Sequence, residues 1–422
     1  EPSPGVKLNK ITTLKNDLAL ALAAPSLRIE APIRGKKLVG IEIPNEKRAI
    51  VSMREILESD AWEEGSKKSN LTLALGRDVA GKPVVVNLAK MPHMLIAGKT
   101  GSGKSVGMNA FLVSLLWQNS PADLRLILID PKRVELKPYD NLPHLLTPVI
   151  VEPEKSVSAL AWAVAEMNRR YKMLSESGVR DLASYNKIDP EKKEPNIVIV
   201  IDELADLMMV AGKDVEAAIC RIAQMARAVG MHLIVATQRP SVDIVTGLIK
   251  ANLPARIAFR VNTGIDSRTI IDGIGAEDLL GFGDMLSLDG NSGELTRVQG
   301  LLISDEEVQR VTNHIKIQFP EMIANDEITE QSIEGMAKGG VLTAGMEEGI
   351  VADEDLDIKY EEAVQVILDT GKASASYLQR RLEVGYARAA RLLDQMESRG
   401  IIGPARGAKA REIYGRQDGE QP

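Results

Sequence analysis

The stretch Gly98-Lys99-Thr100-Gly101-Ser102-Gly103-Lys104-Ser105 carries the most specific chemistry in this chain. Its spacing, G-x-x-x-x-G-K-S, lets glycine-rich backbone wrap a triphosphate with its N–H groups. The N-terminus of a following helix would add a positive dipole end. Lys104 would then place a point charge on the β- and γ-phosphates, and the Ser105 hydroxyl would be a ligand for Mg²⁺. A glycine-rich turn without nucleotide is the plain alternative. It is set aside because the apolar run Met94–Ala97 reads as a strand entering the loop and Val106–Trp117 as a helix leaving it. The cofactors expected from this motif are ATP and Mg²⁺.

A second signal is Asn196–Ile201 followed by Asp202 and Glu203, an apolar strand ending in two acids. Asp202 is the second expected ligand of Mg²⁺, and Glu203 is placed to polarise an attacking water. The doubled acid favours hydrolysis over phosphoryl transfer to a metabolite, although an acidic helix cap would also read this way. At the end of the next apolar run, Ile234–Ala236, Gln238 is the candidate sensor of the γ-phosphate. A polar strand end is its bland reading. Charge developing on the γ-phosphate can be met by an arginine from a neighbouring subunit. Arg256 ranks first for that role and Arg268 second, and an intramolecular salt bridge explains either equally well.

These residues need a scaffold, and 422 residues are enough for two or three domains. The runs Leu124–Ile129, Ile197–Ile201 and Leu233–Ala236 are continuously apolar, which suits a parallel sheet covered on both faces. Helical patterns at Val157–Leu174 and Val215–Val229 alternate with them, so the class is α/β. The glycine-rich stretches 273–283 and 289–293 read as loops. The segments 264–268 and 289–297 are the best places for loops lining a pore. Residues 6–85 mix a helix at 12–22, β-like runs at 26–29 and 38–43, and a helix at 52–58. That texture suggests a small α+β domain.

Composition excludes several classes. The single cysteine, Cys220, forbids an internal disulfide and fits a reducing compartment. Four histidines are scattered without metal-binding spacing. Apolar runs are too short to cross a bilayer. The opening Glu1-Pro2-Ser3-Pro4-Gly5 reads as a cut end, so the expectation is a cytoplasmic fragment whose membrane segment lies outside this chain. Net charge is −7, yet it is unevenly spread. Residues 321–357 hold eleven acids and one lysine, whereas 372–416 hold ten Lys/Arg and four acids. An acidic tether leading to a basic module points to nucleic acid. Aromatics are 3% of the chain, too few for stacking on single strands, so the expected partner is duplex held by its phosphates.

The basic module has its own pattern. Helical spacing over 360–369, 374–382 and 385–396 is followed by two strand-like runs around a basic turn, a winged helix–turn–helix. Arg388 and Arg391 share one helix face and could reach guanine edges. Arg406, Lys409 and Arg411 would place charge in the wing. A solvated basic helix is the plainer reading of the same residues.

Taken together, the phosphate loop, Asp130-Pro131-Lys132-Arg133-Val134-Glu135-Leu136, Val200–Met208, Ala236–Gly247 and Ile265–Ile270 resemble the FtsK/SpoIIIE family of DNA translocases. The Thr237-Gln238-Arg239-Pro240-Ser241 and Asp266-Ser267-Arg268-Thr269 segments are the more specific part of that likeness. The resemblance implies an N-terminal α domain (1–85), a RecA-like phosphate-loop ATPase β domain (86–320), an acidic flexible linker (321–356) and a γ domain (357–417). It also implies a homohexameric ring around double-stranded DNA, contact with a site-specific recombinase, and anchoring of full-length members in the bacterial inner membrane. In the γ domain Arg391 matches a base-contacting arginine. Ala387 stands where the family commonly has asparagine, and Asp394 where it has glutamate. The alternative is a related ring ATPase of protein secretion or conjugation.

Overall fold

The computed structural model describes residues 1–320 other than positions 25, 34, 48 and 189. It also describes 328, 359–370, 374–382 and the isolated positions 389, 392, 393, 396, 401 and 402. The chain divides into two units, Glu1–Ala344 and Gly345–Pro422.

The first unit opens with α1 (Leu8–Thr13) and α2 (Lys15–Ala21), so the helix expected over 12–22 is two short ones broken at Leu14. Next, β1 (Arg28–Glu30) and β2 (Gly40–Glu42) pair as a two-stranded antiparallel ribbon. Serine side chains then start α3 (Met53–Leu57) and α4 (Asp60–Lys68): Ser52 accepts from the Glu55 N–H and Ser59 from the Trp62 N–H. The remaining strands and helices follow in chain order. They are β3 (Thr72–Asp78), β4 (Pro83–Asn87), β5 (His93–Ala97), α5 (Lys104–Gln118), β6 (Leu124–Ile129), α6 (Pro153–Glu176), α7 (Leu182–Ile188), β7 (Asn196–Ile201), α8 (Leu204–Met225), β8 (Met231–Thr237), α9 (Gly247–Asn252), β9 (Ala255–Phe259), α10 (Gly264–Ile271), β10 (Asp284–Leu288), β11 (Leu295–Gly300) and α11 (Asp305–Gln318).

Nine strands form one sheet in the order β4-β3-β11-β10-β9-β5-β8-β7-β6. The half from β9 to β6 is parallel, and the other half is antiparallel. The apolar runs are continuous because both faces are covered. Val198 and Val200 of β7 enter the core that α5 fills with Phe111 and Leu112. Ile197, Ile199 and Ile201 enter the opposite core, against Leu160 of α6 and Ile219 of α8. Such doubly covered strands show no alternation in sequence.

Three expectations change here. Residues 72–87 do not belong to a separate N-terminal layer. Leu73, Ala74 and Leu75 are buried in the main core, and β3 pairs with β11. The glycine-rich stretches 273–283 and 289–293 are loops as expected, but they bracket β10, which pairs with β11 in an antiparallel hairpin that periodicity missed, so 295–297 of the expected pore-loop segment 289–297 are strand. The segment 264–268 is the first turn of α10, not a loop. Thr263 accepts from the Asp266 N–H, and the Asp266 carboxylate accepts from the Thr263 N–H, closing a capping box.

In the second unit, α12 (Tyr360–Thr370) and α13 (Ala375–Leu382) agree with the expected helices. Ala363, Ile367, Leu378 and Leu382 pack with Ala389, Leu392, Leu393, Met396 and Ile402 in a core of their own. Arg388, Arg391, Asp394, Arg406, Lys409 and the wing lie outside the described residues.

The buried histidines make a pH prediction. Burial pushes His93 down to about 3 and His232 and His144 down to about 4. The unfolded chain would protonate them near 6.5, so it binds more protons as pH falls from 6.5 toward 4. Their contribution is complete above that window and is lost within it, on the order of 1 kcal/mol per pH unit for each imidazole. Asp202, raised by burial, opposes this with one group. Urea unfolding at pH 7 and pH 5 should show a clear loss of stability; equal midpoints would contradict it.

Candidate active site

The phosphate loop is clamped between three strands. Gly98 N–H donates to the Thr237 carbonyl at the end of β8 (3.3 Å), and Lys99 N–H to the Arg260 carbonyl just past β9 (2.9 Å). On the far side, Gly283 N–H donates to the Ser102 carbonyl (2.9 Å). Two glycines are obligatory for this fit. A Cβ on Gly98 would lie 2.6 Å from the Phe259 Cβ. Gly103, at φ +107°, has its would-be Cβ 2.4 Å from the Gly283 nitrogen. Gly103 then caps α5, whose first turn presents backbone N–H groups as any helix start does.

Lys104 is buried, 3% exposed, and reaches the Asp202 carbonyl and Oδ1, each at 2.7 Å. Asp202 is wholly buried, and its Oδ2 has no hydrogen-bond partner among the described residues. Burial raises its carboxyl above the ordinary range although Lys104 opposes this, and Asp130 and Glu135 add to the rise. The Ser105 hydroxyl donates to Glu135 Oε1 (2.7 Å). Ser102 Oγ is likewise buried without a hydrogen-bond partner among the described residues.

Glu203 is fully buried and held on every side. Its Oε1 accepts from the Thr237 hydroxyl (2.6 Å) and the Gln238 N–H (3.1 Å), and its Oε2 from Lys132 Nζ (2.8 Å). Burial pushes this carboxyl up, but Lys132, Thr237 and the Gln238 N–H outweigh it and hold it below the usual range. Gln238 Oε1 accepts from the Thr100 hydroxyl (2.7 Å), so the candidate sensor joins the tip of the phosphate loop to Glu203.

The fold therefore brings Gly98–Ser105, Asp202, Glu203 and Gln238 together at the C-terminal edge of the parallel strands, where doubly wound sheets bind ligands. Four further residues belong here: Asp130, Lys132, Glu135 and Thr237. Asp130 is buried and accepts N–H bonds from Lys132, Val134 and Leu136, fixing the turn after β6 that carries Lys132 and Glu135. A cluster of ionisable residues directly after the apolar strand β6 was the signal that could have found Asp130, Lys132 and Glu135; Thr237, the last residue of β8, carried no such signal. Arg256 lies elsewhere. It is 8% exposed, and its guanidinium donates to the carbonyls of Leu253, Ile270 and Lys250 and to Asp272. Within one chain it is the salt-bridged strut that the sequence left open. Arg268, on α10, is exposed.

Three family models cover most of the chain. The FtsK/SpoIIIE family model matches residues 52–242, the FtsK alpha domain 1–45 and the Ftsk gamma domain 354–416. The chain belongs to the FtsK/SpoIIIE family. It is 53% identical over 413 residues to the DNA translocase FtsK of Caldanaerobacter subterraneus, covering 98% of this chain and 56% of that protein. It is 50% identical over 418 residues to the DNA translocase SftA of Bacillus subtilis, covering 98% of this chain and 42% of that one. This FtsK/SpoIIIE chain thus spans about half the length of the curated relatives it matches. Among solved structures it is similar to the monomer of the pCW3 conjugation coupling protein TcpA with ATPγS. That likeness has 25% identity and a TM-score of 0.57, covering 75% of this chain and 87% of TcpA. The cytoplasmic domain of the type VII secretion ATPase EccC of Thermomonospora curvata shares the fold, at 23% identity and a TM-score of 0.53, over 64% of this chain and 34% of that domain. The family match and these neighbours make the class α/β with a RecA-like phosphate-loop ATPase fold and a C-terminal winged-helix γ domain.

Proposed function

We propose that this chain is the motor portion of an ATP-driven double-stranded DNA translocase. The observation that carries the reading is the assembly of the phosphate loop, Asp202, Glu203 and Gln238 at one site of an FtsK/SpoIIIE chain that also carries a γ domain. On this reading Lys104 leaves Asp202 for the β- and γ-phosphates. Glu203 orients and deprotonates the attacking water, and Gln238 links the loop to Glu203. The residues present fit magnesium. Hard oxygen donors converge at Ser105, Glu135 and the unpartnered Asp202 Oδ2, and Mg²⁺ characteristically takes one or two carboxylates plus substrate phosphates. Ser105 and Asp202 would hold it, and it would neutralise charge on the phosphates.

The finer parts rest on family membership. They are a homohexameric ring, an arginine acting in trans (Arg256 or Arg268), and γ-domain reading of orienting DNA through Arg388, Arg391, Asp394, Arg406 and Lys409. Contact with a site-specific recombinase, chromosome movement at cell division, and a membrane anchor on the whole protein belong with them. The division into 1–85, 86–320, 321–356 and 357–417 is likewise a proposal, with 72–85 serving the ATPase sheet. The likeness to TcpA keeps a conjugation ATPase as the second reading, and the γ domain disfavours it.

The test is the steady-state ATPase rate with and without long linear duplex. Duplex should stimulate the rate severalfold, and Arg268→Ala should remove the activity while leaving the fold intact. If Arg256 acts instead, Arg268→Ala retains activity. A rate indifferent to duplex sinks the translocase reading.

A further inference from the structure

Phe282, an exposed aromatic residue, lies next to the phosphate loop on the flank that the acids do not occupy. Asp202 and Glu203 follow β7 and Gln238 follows β8, both on one side of the phosphate-loop strand β5. A triphosphate with its terminal group at those residues must direct its nucleoside end the opposite way. That way lie β9 and β10. Gly283 at the head of β10 is bonded to Ser102 and packed on Gly103, and Phe282 is the residue before it.

Several features mark this ring as placed for contact. Phe282 is 74% exposed, whereas Phe111 and Phe259 are buried and Phe319 is half-buried. Its backbone adopts φ +55°, a left-handed conformation that a bulky side chain rarely takes and that clusters at functional sites. The segment is nevertheless rigid. The Phe282 carbonyl accepts from Gln299 (2.9 Å), and the Asp284 carboxylate accepts from the Leu280 N–H (2.8 Å) and from Arg297. The backbone that carries the ring is therefore held beside the phosphate loop, and the residue is exposed.

We propose that Phe282 is the platform on which the base of the bound nucleotide stacks, making it a determinant of nucleotide affinity. This rests on the nucleotide-binding reading of the loop. Stacking on an aromatic ring is tolerant of base identity and would be lost on truncation to alanine. The expected weakening is about 5- to 150-fold.

Equilibrium binding of ATP and of inorganic triphosphate to Phe282→Ala and Phe282→Trp tests it. Phe282→Ala should weaken ATP by that factor and leave triphosphate unchanged. Phe282→Trp should bind ATP like the parent, with emission quenched by ATP and not by triphosphate. Unchanged ATP affinity in Phe282→Ala, equal weakening of both ligands, or a tryptophan blind to ATP would each overturn the stacking role. Lys104→Ala serves as the control for the underlying reading. If it binds both ligands like the parent, the loop is not the phosphate site at all.

Discussion

Lys104→Ala is expected to abolish ATP binding and to destabilise the chain at the same time. The first effect follows from removing a desolvated charge from the phosphates, on the order of a hundredfold or more in affinity. The second follows from the ground state, in which Lys104 is buried against the wholly buried Asp202. Taking one partner from a buried pair strands the other, which costs about 3–5 kcal/mol where the stranded group stays charged. Here Asp202 can take up a proton, because burial already raises its carboxyl, so the loss should fall at the lower end. The double variant Lys104→Ala/Asp202→Asn removes the stranded charge. It should recover most of the thermal stability and none of the ATP binding. Recovery of both, or of neither, would contradict the role given to Lys104.

Glu203→Gln should separate hydrolysis from binding. The amide keeps the size of the side chain and a carbonyl oxygen for the Thr237 hydroxyl, but it cannot take a proton from water. The rate constant for hydrolysis should fall by about 10²–10⁴, the range associated with a positioned general base. ATP affinity should change little, since Glu203 bonds Thr237, Gln238 and Lys132 and none of the phosphate-loop residues. Single-turnover hydrolysis beside equilibrium ATP binding measures the two effects. A variant that hydrolyses at the parent rate would exclude Glu203 as the base.

The parts of this site that were legible in sequence are the parts whose spacing is local. The phosphate loop is a contiguous motif, and Asp202 and Glu203 follow a run of five buried residues whose apolar character admits few readings. Lys132 and Thr237 were not legible as partners of Glu203, because their meeting depends on β6, β7 and β8 being neighbours in space. Arg256 shows the same limit from the other side. A basic residue on a strand looked available for a neighbour, yet inside its own chain it is enclosed by four partners. The fold class followed from the apolar runs, which read as strands because both faces are packed. The antiparallel half did not. Its strands carry Gly76, Asp284, Thr296, Arg297 and Gln299, residues that interrupt any apolar pattern, and Arg297 is satisfied through Asp284 and Glu42.

The pairing of β3 with β11 has a consequence for how the chain is made. On the edge of β3 that faces away from β4, Asp78 pairs with Val298 and Gly76 with Gly300. A growing chain therefore carries the β3–β4 hairpin with an open edge until almost the entire ATPase unit has left the ribosome. Pairings so far apart in sequence form late, since loop closure precedes any gain from contact. The last strand of this sheet is thus the one that joins its first hairpin to the rest, and a chain stalled before residue 295 keeps an edge open to other chains.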